Sequence, residues 1–408
     1  MNKSSSRSQR GYALLIVTMA IAIIGVLVQM FILSSQAELR SVRAEGDRIK
    51  ARYISYSVLE VTKLFLKVQE KFLDNNAMLS QMGLDMGQFL PMILPLFFGD
   101  VDMVGAMIGT DVVGLGMKPG QGSGGMISMD AEDGKININC AISDANIQQL
   151  NLNLTALFSS RRYDELFGRL LSDSDSLDRV QQVGAFIDFI DLDQGGYAGG
   201  DEDGYYMGLS EPYVSKNNLL DSNEEIRLIR GVDDVFWTNF GSSLTVYGSC
   251  NLNLCAVDSN NWQLVAGIIV ASAKDPNHKV INDPVLLKML ATTVAPQIPG
   301  ICKDTSTFIQ AVANPGVASN VMAAALGISA DEMSDLGNDG VNDAEVQGVE
   351  LDQSKLSKIV TSASKRFYRL KVYGVSGKSK HMVNAVWDQK LVSTSSGKTG
   401  GFVYWREE

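Results

Sequence analysis

Six carboxylates crowd one short stretch of the chain: Asp188, Asp191, Asp193, Asp201, Glu202 and Asp203. Counting Asp191 as position one, Asp193 falls at three, Gly196 at six and Glu202 at twelve. Loops that wrap a calcium ion use this spacing, although Gly195 stands where position five usually offers an oxygen. Calcium takes about six to eight hard oxygen ligands. Anions this dense repel one another unless a cation sits among them, so the expected chemistry is Ca2+ binding, with a solvated acidic turn as the competing reading. A second acidic stretch, Asp331 to Glu350, lacks the spacing and reads as solvated surface. Catalysis finds little to work with. The two histidines, His278 and His381, fall in a loop and at a strand start and are expected to be exposed, and no nucleophile elbow or phosphate loop occurs. Asp188 and Asp191 could in principle act as an acid and base pair. Cation binding or helix capping explains them more simply, and no enzyme is expected.

Bulk charge narrows the partners. The 408 residues carry 35 Lys and Arg against 46 Asp and Glu, a net charge of −11, and a surface of that sign repels phosphates. Nucleic acid is therefore not an expected partner. Cys140, Cys250, Cys255 and Cys302 do not show zinc spacing. In an oxidising compartment they could form disulfides, but spacing alone leaves all three full pairings, and a reduced buried set, open.

The elements that must position the acidic loop begin at the front of the chain. Lys3, Arg7 and Arg10 precede Gly11, and an almost unbroken apolar run follows from Tyr12 to Leu33. Such a run is about 33 Å long as a helix, enough to cross a bilayer. Basic residues before it predict a cytoplasmic N-terminus and a body on the far side of the membrane. A cleaved secretory signal would have a shorter apolar core and a small-residue cleavage site, and neither occurs. Helical periodicity continues to about Leu73, with Ile54, Val58, Val61, Phe65, Val68 and Phe72 forming an apolar stripe. Residues 75 to 125 mix many methionines with Pro91, Pro95 and glycines. They suit short helices covering the body's own core, or an adaptable partner surface.

Met126 to Asn139 reads as a hairpin turning at Glu132 to Gly134. Leu244 to Asn253 repeats its strand-like text. Asn137-Ile-Asn139-Cys140-Ala141 and Asn251-Leu-Asn253-Leu-Cys255-Ala256 each lead toward a helix, with Ser143-Asp144 and Asp258-Ser259 as caps, so an internal repeat is expected. Helical text fills 143 to 230 and 258 to 360. Strands at 126 to 139, 244 to 254, 366 to 376, 381 to 390 and 401 to 405 are expected to form one sheet.

The order of basic leader, Gly11 and apolar helix resembles the leader of type IV pilins and pseudopilins. That resemblance implies cleavage after Gly11 by a prepilin peptidase and N-methylation of Tyr12. Most such subunits carry a glutamate at the fifth mature position, which is Ile16 here; its lack suggests the end position of a filament. Five further motifs follow one another as in the type II secretion minor pseudopilin K family: Asp133-Gly134-Lys135-Ile136-Asn137-Ile138-Asn139, Phe186-Ile187-Asp188-Phe189-Ile190-Asp191, Glu211-Pro212-Tyr213 through Asp221-Ser222, Glu224 to Gly231, and Leu244 to Gly248. The resemblance implies an α+β fold with a long N-terminal transmembrane and amphipathic helix, a pilin-like antiparallel sheet and a large inserted helical, sterile-alpha-motif-like domain. The units expected are a leader at 1–11 and the helix at 12–73, followed by a Met/Gly-rich insert at 74–125 that departs from the family. The sheet would draw on 126–139, 244–254 and 366–408, and the helical regions would span 140–243 and 255–365. It also implies calcium at the acidic loop, placement in the bacterial inner membrane with a periplasmic body, and a structural role at the tip of a pseudopilus beside I-type and J-type minor pseudopilins. Alternatives are a minor type IV pilin in adhesion and a membrane-anchored calcium-dependent hydrolase or receptor.

Overall fold

The computed structural model of the chain describes residues 6–74, 86–99, 122–167, 177–197, 202–315, 347–392 and 399–408. A single helix α1, Ser6–Val68, begins the molecule, and a wider helical turn, Gln69–Asp74, ends it. It is long and apolar enough to cross a membrane, and its large apolar side chains from Tyr12 to Leu33 are exposed. Further along, Ala51, Ile54, Ser55, Val58, Leu59, Thr62 and Leu66 are buried. This inward face sits about one residue around the helix from the expected stripe: Leu59 and Leu66 are buried, whereas Val68 is exposed. Small polar residues, Ser55 and Thr62, occupy two of the inward positions because their hydroxyls bond back to the Arg52 and Val58 carbonyls, which a hydrophobic pattern does not register.

Helix α2, Met86–Phe98, carries Pro91 and Pro95 and packs Leu90 and Leu94 into the same core. This part of the Met-rich region thus covers the body's own core. The rest of 75–121 lies outside the described residues, as does most of the Asp331 to Glu350 stretch.

The sheet beneath α1 has four strands in the order β1-β6-β7-β8. Strand β1 is Ser123–Ala131; between it and its neighbour β6 the chain makes the whole helical body. That body comprises β2 (Ile136–Asn137), α3 (Asp144–Phe158), α4 (Arg179–Asp188), α5 (Asp203–Met207), α6 (Asp234–Phe240), β3 (Leu244–Thr245), β4 (Leu252–Asn253), α7 (Trp262–Ser272), α8 (Pro284–Val294), α9 (Thr305–Ala313), α10 (Gln353–Ile359) and β5 (Val360–Thr361), with shorter turns between. The sheet resumes with β6 (Phe367–Ser376), β7 (Ser379–Val392) and β8 (Thr399–Glu407). The β6–β7 hairpin forms as its alternation predicts, and Gly377 supplies the positive φ of 55° its two-residue turn requires. The fold is α+β with an inserted helical body, built around two apolar clusters.

Two expectations fail in the strands. The 126–139 segment is not a hairpin: β1 pairs antiparallel with β6, while β2 turns away and pairs parallel with β3. Nor do residues 244–254 join the sheet, because β4 pairs with β5. The cause is the turn Glu132–Gly134, whose two carboxylates are bound from elsewhere. Asp133 accepts the Arg366 and Phe367 backbone N–H groups at 2.6 and 2.9 Å, and Glu132 accepts Arg369 Nε at 2.7 Å. Side chains that point inward to such partners cannot sit at an exposed hairpin tip.

The internal repeat is present. Asn137 accepts the Asn139 N–H and donates to Gly248 O; Asn253 accepts the Cys255 N–H and donates to Ala363 O. Each asparagine thus closes a tight turn after a two-residue strand and ties it to its parallel neighbour. The second helix begins later than expected, at Trp262 with Asn261 as its cap; Asp258 instead accepts from the Asn260 N–H. Ser143 precedes α3 without a side-chain cap bond. The cysteines pair as Cys140–Cys250 and Cys255–Cys302, one bond beginning in each copy of the repeat.

Candidate metal centre

Helix α4 aims the first ligand. Its start is fixed by a capping box between Asp178 and Gln181, and its end runs into Phe189 and Ile190, both buried. Burial of those two side chains anchors the chain where the acidic loop departs. The loop is pinned from the far side by Lys216 and Asn217, whose backbone N–H groups donate to Phe189 O at 3.0 and 3.1 Å. The outcome brings Asp188, Asp191 and Glu202 together, with one ligand oxygen from each lying within 4.8 Å of the others.

The other expected ligands are placed differently. Asp193 accepts the Gly195 N–H at 2.7 Å in a local turn and falls outside that trio. Asp203 accepts both the N–H and the hydroxyl of Ser215, at 2.8 and 2.7 Å, and fastens the start of α5. Asp201 lies outside the described residues. The twelve-residue spacing put Asp191 and Glu202 in one loop, but the trio uses Asp188, ahead of that count, in place of position three.

Burial and charge test whether a cation fits. Asp191 and Glu202 are only 5% and 7% exposed, and Asp191 Oδ1 and both Glu202 carboxylate oxygens are buried with no hydrogen-bond partner. Leaving a buried acceptor unsatisfied costs on the order of 1–3 kcal/mol, more for a charge. Burial, then the neighbouring Asp193 and Asp188, pushes Asp191 up to about 6. Glu202 is pushed up to about 7 by burial and by Asp191, Asp188, Asp193 and Asp203. Burial also raises Asp188, against the Tyr197 N–H that it accepts. Three half-desolvated carboxylates with free lone pairs fit a hard cation, and an all-oxygen set suits calcium over a transition metal.

Sequence reasoning missed one neighbour. Asn217, at a positive φ of 43°, donates to Asp193 O at 3.2 Å, and its own Oδ1 is buried without a partner. It ties the acidic loop to the segment that follows α5. The only signal in sequence is its place at the end of the Glu211 to Asn217 segment.

At the other end of the molecule, Gly11 falls inside the helical run, Tyr12 is exposed, and Ile16 is 63% exposed. His381, expected to be exposed, is half-buried: its ring bonds Ser55 of α1 at 2.9 Å and Glu407 of β8 at 3.3 Å.

The motif-bearing part of the body, which includes the carboxylate trio, also matches a known family: the model of protein K of the type II secretion system covers residues 134–249. Residues 134–249 are similar to that family. The matched segment opens just after β1 and closes between β3 and β4, so it spans the first copy of the repeat and the whole acidic loop. Among solved structures, the chain is similar to one in the crystal structure of the GspK-GspI-GspJ complex from the enterotoxigenic Escherichia coli type 2 secretion system. The identity is 13%, covering 70% of this chain and 80% of that one, with a TM-score of 0.42. No curated protein matches the chain.

Proposed function

We propose that the chain is a minor pseudopilin of the type II secretion system that sits at the tip of a short pseudopilus and starts or caps its assembly. The observation that carries this reading is α1 itself. One uninterrupted helix presents a wholly exposed apolar segment, Tyr12 to Leu33, and then clamps onto the sheet from Ala51 to Leu66. An exposed apolar rod needs lipid or sister rods around it. The protein K segment at 134–249 supplies the system in which such rods assemble. Ile16, exposed on that rod, has no charge with which to meet a neighbour's N-terminal ammonium, which suits a terminal position. The helical body, larger than the sheet that carries it, is too bulky to repeat along a filament.

In this reading a prepilin peptidase cuts after Gly11, Tyr12 becomes the N-methylated front of the mature chain, the helix remains in the inner membrane and the body works in the periplasm. I-type and J-type minor pseudopilins are its partners, as in the complex whose chain it resembles. The role is structural and needs no catalytic group. Asp188, Asp191 and Glu202 hold calcium and stiffen the body. The test is co-expression with the other minor pseudopilins and the peptidase. The wild-type chain should lose about 1.2 kDa (roughly eleven residues) and co-purify with them, while Gly11→Val should stay at precursor mass. Equal masses for the two, or a chain that never co-purifies, would remove the reading.

A further inference from the structure

Beyond the apolar segment Tyr12 to Leu33, α1 carries a second row of exposed apolar side chains. Leu39, Val42, Ile49 and Tyr53 are 49–71% exposed. At about 3.6 residues per turn they keep within an arc of about 80°, centred opposite the face on which Ser55, Val58 and Thr62 are buried. The row therefore points away from the body. Its steps are those of a helix-to-helix seam: three to Val42, four to Gly46, three to Ile49 and four to Tyr53. Gly46 keeps the seam open, since a β-carbon there would meet nothing within 4 Å. The series stops at Tyr56, which turns aside to Glu407 of β8.

The charges beside this seam are arranged to meet a copy of themselves. Glu38 and Glu45 flank it on one side, Arg43 and Lys50 on the other, and all four are exposed. When two such helices run parallel and level, each acid faces the base five positions further along the other helix: Glu38 meets Arg43, and Glu45 meets Lys50. Two-fold symmetry makes each pair twice. Antiparallel helices would set acid against acid and base against base. Parallel running is in any case enforced, because α1 is long and apolar enough to cross a membrane and its basic front orients every copy alike. Within its own helix Glu45 has only Arg48, at 3.9 Å with both side chains mostly exposed, so little opposes its turning to a neighbour. Exposed ion pairs add little energy each. They choose register and partner, while burial of the apolar row supplies the association.

We propose that two copies of this chain pair through α1, parallel and in register, along the seam from Leu39 to Tyr53. The two bodies then face outward on opposite sides. The inference stands on α1 and not on the assembly reading, since copies standing level form a side-by-side pair and not a repeat along a filament.

Oxidative cross-linking of the full-length chain in detergent micelles tests it. The native cysteines are all paired, so a single added thiol reports alone. Val42→Cys, on the seam, should give a disulfide-linked dimer on mild oxidation, with or without other minor pseudopilins present. Ala44→Cys, exposed on the other side of the helix, should give at least about fivefold less, because its sulfur cannot reach its twin. In the Val42→Cys chain, Glu38→Lys with Glu45→Lys should weaken the pair about tenfold or more by turning four attractions into repulsions. Adding Arg43→Glu with Lys50→Glu should restore it. The melting temperature should stay near that of the parent throughout, since all four side chains are exposed. Equal cross-linking at positions 42 and 44, a pair indifferent to the first charge exchange, or no rescue by the second would each overturn the proposal. So would cross-linking of Val42→Cys chains only to I-type or J-type minor pseudopilins bearing their own added thiols, which would give the seam to a different rod.

Discussion

Asp191 and Glu202 carry the clearest consequence for a single-residue test, because their oxygens are buried and unbonded. A cation that binds only the folded chain stabilises it by RT ln(1 + [L]/Kd), about 2.7 kcal/mol at a hundredfold excess over Kd. Calcium should therefore raise the melting temperature of the wild-type chain by several degrees, and Asp191→Asn with Glu202→Gln should abolish that rise. Without calcium the double variant should be no less stable than its parent, since it removes mutual repulsion among buried carboxylates. A calcium-dependent rise of the same size in the variant would count against the site. Glu407 gives a prediction of opposite sign in pH. The Tyr56 hydroxyl is the strongest of the groups that hold it at about 2, with Trp405, His381 and Arg52 acting in the same direction against burial, below its ordinary 4.5. A carboxylate depressed in the folded state adds stability that is present above about pH 4.5 and is lost as pH falls toward 2. Glu407→Gln should lower the melting temperature at pH 7 by about 1–3 °C, a small effect because the network is exposed. The difference from the parent should vanish near pH 2; a constant difference across that window would refute the linkage. Of these residues, sequence exposed the six acids, through density and spacing. It did not expose Glu132 or Glu407, because a partner 237 or 351 positions away leaves no local pattern.

At the level of elements, periodicity worked where a segment has one buried face and failed where polar contacts steer the backbone. The helical course of α1 and the β6–β7 hairpin were legible for the first reason, while the inward face of α1 was shifted by Ser55 and Thr62. The path after β1 was not, since Glu132 and Asp133 commit the turn to β6, and two-residue strands carry too little alternation to show their parallel partners. Cysteine pairing was equally hidden: Cys250 and Cys255 lie on either side of β4 yet bond to Cys140 and Cys302, 110 and 47 positions away. The helix-sheet contact can be tested at one position. A β-carbon added at Gly374 would lie 2.1 Å from Ala51 O and 2.7 Å from Ser55 N, so only glycine lets the backbone of α1 rest on β6. Gly374→Val should cost ~1–3 kcal/mol or more through forced separation, seen as a lower melting temperature and faster proteolysis between α1 and the sheet. Its effect should exceed that of Val375→Ala, on the same strand. Equal losses would mean that α1 does not bear on the sheet so closely.

For the whole molecule, the long rod, the sheet it clamps and the inserted body form a continuous path of contacts from the exposed apolar segment to the acidic loop, and the rod's own composition decides where the molecule can stand in an assembly. Ile16 is the place to ask. A carboxylate costs about 2.5–3.5 kcal/mol at the centre of a membrane helix and less toward its end, where Ile16 lies, unless a cation meets it. Within a filament, the N-terminal ammonium of a neighbouring rod could be that cation and offset the cost. A subunit at the tip lacks the neighbour on one side. On the proposed function, Ile16→Glu should therefore reduce the amount of this chain recovered with I-type and J-type minor pseudopilins, about tenfold for each 1.4 kcal/mol of that cost, while leaving the stability of the sheet and helical body unchanged. Recovery equal to or above wild type would mean that an ammonium is available at this depth, and that the chain stands inside the filament with rods on both sides.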